Sequence, residues 1–510
     1  MVIASIATTP FHPTLRPISF GKMLSVGLKA VALTLLLGSR ANASPNTPTA
    51  SACRQIAKAL GEGVFFPDDT DYSELSTINW SQTAWAQPAC IVSPSNASEV
   101  SKVVKIAVAQ KARFAIRSGG HSANPGYANI NDGILISLDR LTKTVFDPST
   151  SLVSIGPGNR WGEVYEHLEQ FNRTMVGGRV PTVGVGGLTL GSGLSYLTDL
   201  HGLACDNVVS YEVVLSNGSI VEASATSNKD LFWGLKGGIN NFGVVTEFKS
   251  RTYVLDRVWG SVSLYNASQM PEVLQAVNKY QSAPNKDLYA NMHMNLAPIN
   301  DSIVLTLVYL KPEPQPKAFA PFYALKPLMA QDGIMTLSQL QSLFSPGGSP
   351  RWALHVTGFK PSSAIYKKID GIFRTAPELD DLRGITGGMM VGTVQPITAN
   401  VALAGQSLGG NALGLQAVNQ TWLGLSAAWW SKDDDAAAER ALAAFSKRIE
   451  AAIPKNMKVP YLFMNDAGPK QEVIKSYGTD NVKRLQQVRA KYDASLVFHQ
   501  LVPGGQKIPL

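Results

Sequence analysis

Three glycine-dense segments hold the residues whose types and spacing could do chemistry. Arg117-Ser118-Gly119-Gly120-His121-Ser122 runs from an apolar stretch into two adjacent glycines. Lacking Cβ atoms, these glycines let consecutive backbone N–H groups turn toward one anion, which is how a pyrophosphate is held without a lysine. Gly177 to Gly193 is too rich in glycine for an ordinary strand or helix, and a close backbone approach to a large flat ligand would explain it. Gly237-Gly238-Ile239-Asn240-Asn241-Phe242-Gly243 again ends by entering a β-run, Val244-Val245-Thr246. None of the three matches the Rossmann fingerprint or a Walker loop, which argues against an ordinary nicotinamide or ATP site. The sequence has no H-E-x-x-H and no paired C-x-x-C, so no metal site is expected.

The elements that must position these segments are short and β-rich as far as Tyr253. Arg113 to Arg117 and Gly133 to Leu138 read as buried strands around the first glycine loop. Asn96-Ala97-Ser98-Glu99 resembles a capping box, and Val100, Val103, Val104 and Ala107 then recur at helical spacing on one face. Ser210–Leu215 and Ile220–Ala223 flank Asn217-Gly218, a hairpin signal. From Leu255 to about Pro454 glycines are sparser until residue 387 and strands mix with helical patterns, so a second domain is expected there. Asp433 to Asp435 mark one helix N-terminus, Leu442, Phe445 and Ile449 its buried stripe, and Pro454 its end.

The 510 residues are 45% hydrophobic and 16% charged, which fits a globular chain and excludes a disordered or coiled-coil one. The formal charge of +8 suggests a nucleic-acid or anionic-membrane partner until the first 43 residues are set aside. There Arg16, Lys22 and Lys29 precede an apolar run from Ala30 to Leu37, and the small-x-small triplet Ala41-Asn42-Ala43 comes after it, the layout of a cleavable secretory signal. An amphipathic mitochondrial presequence is the alternative, because no acid precedes Glu62. Cleavage would remove Arg16, Lys22, Lys29 and Arg40 and no acid, so +8 falls to +4 and neither nucleic acid nor membrane is expected as a partner of the mature chain. The apolar run is too short to span a bilayer. Secretion, or a secretory-pathway vesicle, is the expected location, and a monomer the expected state.

Cysteine usage agrees with an oxidising compartment: a Cys53–Cys90 bridge would staple the N-terminal helix to the chain beyond it and leave Cys205 buried and reduced. Three free thiols are the other possibility. Sequons at Asn79, Asn96, Asn172, Asn217, Asn266, Asn300 and Asn419 would supply several surface glycosylation sites in a secreted protein.

The order R-S-G-G-H-S at 117–122, G-V-G-G-L-T-L-G-S-G-L at 184–194, G-L-A-C-D-N-V-V at 202–209, D-L-F-W-G-L-K-G-G at 230–238 and N-F-G-V-V-T at 241–246 resembles the PCMH-type FAD-binding domain of the vanillyl-alcohol oxidase superfamily. Tyr461-Leu462-Phe463-Met464-Asn465-Asp466 and Lys491-Tyr492-Asp493, together with Val497-Phe498, are similar to the berberine-bridge-enzyme tail. The resemblance covers nearly the whole mature chain and is closest to fungal FAD-linked oxidases of secondary metabolism or sugar oxidation. It implies an α+β fold: an FAD-binding domain of two subdomains over 44–254, a substrate domain with an antiparallel sheet covered by helices over 255–455, and a tail over 456–510 that returns to the FAD domain.

The same resemblance implies an FAD contact set of Arg117, Ser118, Gly119, Gly120, Ser122, Thr182, Val183, Gly184, Gly187, Leu188, Gly191, Gly193, Asp206, Gly243, Val245 and Asn465. His121 matches the histidine that bonds covalently to the flavin's 8α-methyl carbon, a role suited to a neutral, nucleophilic imidazole. Where many relatives have a second linking cysteine before Pro-Thr, this chain has Val180, so a single bond is implied. Val183 matches a position that influences oxygen access and favours an oxidase. Gly191-Ser192-Gly193 departs from the commoner triple glycine, a change expected to cost little. The implied reaction is oxidation of a small organic molecule, by alcohol oxidation, ring closure or dehydrogenation, with molecular oxygen as acceptor. Tyr461 is the first candidate for the base, and His293 with the Trp429-Trp430 pair are candidates to line the substrate site. A secreted carbohydrate oxidase is the alternative within the fold.

A different class is raised by Gly405-Gln406-Ser407-Leu408-Gly409, a G-x-S-x-G nucleophile elbow with Asp433, Asp466 and His499 after it in hydrolase order. Nothing upstream resembles an H-G-G-G oxyanion loop, which weighs against a serine hydrolase.

Overall fold

The computed structural model describes residues 47–343 and 348–510; the signal expected over 1–43 lies outside the described residues. The first sheet has the order Val64–Phe65, Cys90–Val92, Ile134–Ser137, Phe114–Arg117. Cys90–Val92 and Phe114–Arg117 both run parallel to Ile134–Ser137. Every residue of Ile134–Ser137 is buried, as expected of a strand covered on both faces. Helices Pro48–Leu60 and Ala97–Ala109 cover one side with Ile56, Val100, Val103, Val104 and Ala107, and Cys53 is bonded to Cys90 across that packing. The cap of the second helix is offset by one residue from the expected box. Asn96 Oδ1 accepts from Glu99 N–H at 3.0 Å, but the Glu99 carboxylate accepts from Ser95 N–H at 2.7 Å.

A second, antiparallel sheet has the order Thr144–Asp147, Leu152–Ile155, Val244–Arg251, Val208–Val214, Ile220–Ser224. Its last two strands form the hairpin expected from Asn217-Gly218, in which Val214 pairs with Ile220 and Gly218 takes φ +77°.

The third sheet is antiparallel with seven strands, in the order Met329–Met335, Val258–Asn266, Ser302–Tyr309, Ala290–Ala297, Met389–Ile397, Gln420–Trp429, Arg351–Phe359. Helices Met270–Gln281, Ser363–Thr375, Glu378–Arg383 and Asp435–Ala452 contribute to the apolar core on one of its faces. Strand periodicity divides the side chains: Met292, Met294 and Leu296 join that core, while His293 and Asn295 face a cavity between this sheet and the glycine-rich half. The helix expected near Asp433 begins at Asp435, after a 3-10 turn at Lys432–Asp434, and buries Leu442, Phe445 and Ile449. The protein thus has the α+β architecture with a helix-covered antiparallel sheet beside the glycine-rich half.

The tail ties back to that half through the backbone. Asn241 Nδ2 donates to Gln506 O at 2.8 Å, and Phe114 N–H donates to Leu501 O at 2.8 Å. Two expectations change. Ser407 ends helix Ala399–Ser407 and donates back to Ala404 O, so it does not stand on a strand-to-helix elbow and the hydrolase reading fails. Asn79 is 2% exposed and bonded to Asn129 and Ala128, which leaves no room for a glycan at that sequon. No described helix is long and apolar enough to cross a membrane.

Candidate active site

The three glycine segments converge on one cavity of about 450 Å³, closed on its far side by the seven-stranded sheet and the tail. Backbone crossing explains the first two. A Cβ on Gly119 would stand 2.5 Å from Gly184 Cα, and one on Gly184 only 2.3 Å from Gly119 N, so the two chains touch where any other residue would force them apart. Ser118 completes the junction: its Oγ donates to Pro157 O at 2.5 Å and accepts from Gly186 N–H at 3.1 Å.

His121 reaches the cavity wall with its ring stacked on Trp80, centroids 4.9 Å apart at 7°, and its Nε2 3.2 Å from Thr182 Oγ1. Trp80 in turn stacks on Trp352 of the seven-stranded sheet. Burial, and then the positive charge of Arg160, push the His121 pKa down to about 4, so the ring is neutral near pH 7. Arg160 is anchored by its own bond to the carbonyl of Thr182. A neutral imidazole at the wall of a cavity floored by glycine backbone is compatible with a bound FAD.

Ser118, Gly119, Gly120, His121, Ser122, Val180, Val183, Gly184, Gly187, Leu188, Gly243, Val245 and Asn465 line the cavity. Arg117 does not: its guanidinium is buried behind the loop on Leu75 O and Ser137 Oγ. Asp206 lies in the core, taking Leu203 N–H and Asn411 Nδ2, and burial raises its pKa. Gly191 and Gly193 serve the tail. Asn465 Oδ1 accepts from Gly193 N–H at 3.2 Å, and a Cβ on Gly191 would meet Asn465 Nδ2 at 2.7 Å. Ser192 between them takes φ +108°, a region unfavourable to any side chain, so the departure from triple glycine carries backbone strain and is not free.

Tyr461 is 1% exposed, with its hydroxyl 3.2 Å from Ser192 Oγ and its ring against Trp422. Burial pushes its pKa well up, and it is absent from the cavity wall. Trp429 is sealed in the helix-side core and Trp430 is exposed, so of the expected substrate-side residues only His293 lines the cavity. Sequence reasoning missed Arg179, Asn295, Thr393 and the cavity role of Asp466. Strand alternation places Asn295 on the same face as His293, but nothing in the sequence pairs strands 290–297 and 389–397.

Residues 88–224 match the FAD binding domain family. Over 463 residues, 89% of this chain and 88% of the relative, the protein is 40% identical to an FAD-dependent monooxygenase of Arthrobotrys oligospora. The chain belongs to the fungal FAD-dependent oxidoreductases that carry this FAD binding domain. It is an FAD-linked oxidoreductase acting on a small organic molecule. This oxidoreductase is also 34% identical to the bifunctional solanapyrone synthase of Alternaria solani over 90% of its own chain and 89% of that protein. Its fold is that of the glucooligosaccharide oxidase of Acremonium strictum, with a TM-score of 0.76, 20% identity, and coverage of 90% of this chain and 99% of that one.

Proposed function

We propose that this protein is an oxygen-dependent FAD oxidase that carries its cofactor on His121 through a single covalent bond. Its proposed reaction is an alcohol oxidation, ring closure or dehydrogenation in fungal secondary metabolism. The observation that carries the reading is the His121 ring, uncharged near pH 7 and set between Trp80 and Thr182 at the wall of the glycine-floored cavity. The glucooligosaccharide oxidase of Acremonium strictum holds a 6-S-cysteinyl, 8α-N1-histidyl FAD. Val180 on the cavity wall supports one bond here, since valine offers no sulfur.

When bound, FAD supplies a two-electron acceptor for a substrate C–H bond beside oxygen or nitrogen. The chain's own tasks are to hold the substrate, exclude water and take the proton. Asp466 suits the last of these better than Tyr461. It faces the cavity, it accepts a hydrogen bond from Gln395 Nε2 at 2.8 Å, and burial holds its carboxyl above the usual carboxylate range, toward the pKa of an effective base. Val183 on the wall supports oxygen as acceptor, and the Cys53–Cys90 bridge supports passage through the secretory pathway.

The names of several relatives favour monooxygenation as a second reading. Turnover under ¹⁸O₂ separates the two: one hydrogen peroxide per product with no ¹⁸O in the product is expected, and an ¹⁸O atom carried into the product would remove the oxidase reading.

A further inference from the structure

We propose that Arg179 binds a negatively charged oxygen of the substrate, so that the cavity takes the carboxylate, phenolate or enolate of an organic acid on an apolar skeleton and not a neutral sugar. The proposal rests on the flavoenzyme reading and names the substrate class of the same site. Arg179 sits between Gly178 and Val180, where a Cβ on Gly178 would be 2.6 Å from Trp161, so the backbone that carries it is pinned. Its side chain crosses to the seven-stranded sheet and lines the cavity beside His293, Asn295, Thr393 and Asp466.

Arg179 makes no direct ion pair within the protein: its electrostatic partners are the Tyr196 and Tyr165 phenols and Asp466, which stands beyond Gln395. Within the protein it donates to the neutral amide oxygen of Gln395. The Gln395 amide is oriented by its other end, which donates to Asp466 Oδ2 at 2.8 Å, so the oxygen is left for the guanidinium. Among the described residues no carboxylate comes within ion-pair distance of Arg179; the ion pairs of this sheet and its neighbours are made elsewhere, as at Arg351–Asp435 and Lys286–Asp199. The half-buried guanidinium stays charged, and with Asp466 held behind Gln395 its cavity side is free to complete its pairing with an anion in direct contact. Its planar fork matches the two oxygens of a carboxylate or a delocalised oxyanion, and a sugar hydroxyl offers neither the charge nor the shape. Val183, Leu188, Leu354 and Phe463 supply apolar wall around it. Burial and the nearby Arg179 charge hold the His293 pKa down at about 3, so that ring adds no second positive charge and leaves Arg179 as the anion-binding group.

Isothermal titration of the purified full-length protein with 4-nitrophenolate, benzoate, 4-nitroanisole and cellobiose tests this. The two anions are expected to bind at least about tenfold more tightly than the neutral isostere, with cellobiose weakest. Arg179→Gln should bring the ratio close to one, and Arg179→Lys should retain part of it. Should Arg179→Gln fail to fold, the wild-type ratio and Arg179→Lys still decide. Equal affinity for 4-nitrophenolate and 4-nitroanisole, or a preference that survives Arg179→Gln, overturns the assignment. A flavin-loaded protein without preference sinks this inference alone, whereas a colourless protein that prefers the anions sinks the flavoenzyme reading alone.

Discussion

The indole of Trp80 lies flat on the imidazole of His121, 7° from parallel at 4.9 Å, and Thr182 Oγ1 meets the ring's Nε2 edge at 3.2 Å. Stacking fixes the plane of the ring and the hydroxyl fixes its rotation. Together they hold the imidazole in one orientation before any ligand arrives.

Removing the stack should therefore slow covalent loading more than it weakens binding. Trp80→Ala is expected to lower the rate of FAD attachment to apoprotein by about tenfold, the scale of one aromatic contact, and Trp80→Phe to recover most of it. Denaturing-gel flavin fluorescence over time is the measurement, and an Ala variant that loads at the wild-type rate would show that the stack does no positioning.

The crossing of Gly119 and Gly184 predicts a steric failure. In Gly184→Ala the added methyl has nowhere to go, because Gly119 N stands at 2.3 Å. A loss of about 1–3 kcal/mol of stability and poor flavin retention are expected, read by thermal melting and bound-flavin absorbance. Gly371→Ala in helix Ser363–Thr375 is the control, since no atom lies within 4 Å of a Cβ there and Gly371 is away from the cavity wall.

The assignment of the base is tested by a pair of variants. Asp466→Asn should lower turnover about 10²- to 10⁴-fold while keeping flavin, whereas Tyr461→Phe loses one buried hydrogen bond, to Ser192, and should leave turnover within a few-fold. The reverse ranking would return the role to Tyr461.

Acid should weaken the fold through its neutral histidines. His121 and His201 are held at about 4 and His293 at about 3, chiefly by burial. Each takes up a proton more readily when unfolded, near the ordinary 6.5, so stability is full above that value and falls as pH drops toward 4. His201 stacks on Tyr253 at 3.6 Å, and His201→Phe keeps the stack without the proton. The variant should lose about 1–3 kcal/mol less than wild type between pH 6.5 and 4 in urea melts. An identical slope would contradict the shift.

Much of this site is legible in the sequence because glycine types report backbone approach. The loop at 118–121 and the run at 184–188 read as a ligand floor, and both lie on one cavity. Spacing is less informative where a side chain's direction is decided by packing. Arg117 and Asp206 carry the right chemistry but are spent on Leu75 and on Leu203 with Asn411, and Tyr461 is turned into the core by Trp422. Arg179, and the cavity role of Asp466, escape notice for the opposite reason. Each looks ordinary in its segment, and their shared neighbour Gln395 lies on a strand whose place beside Ala290–Ala297 is set by sheet order, which the sequence does not display.

In the proposed oxidase His121 alone carries the FAD. Acid-precipitated, unfolded wild-type protein should retain a flavin chromophore, and peptide mapping should place it on the peptide holding His121 and on no other. His121→Ala should release all of its flavin into the supernatant. A colourless wild-type pellet, or a His121→Ala pellet that stays yellow, would contradict the account.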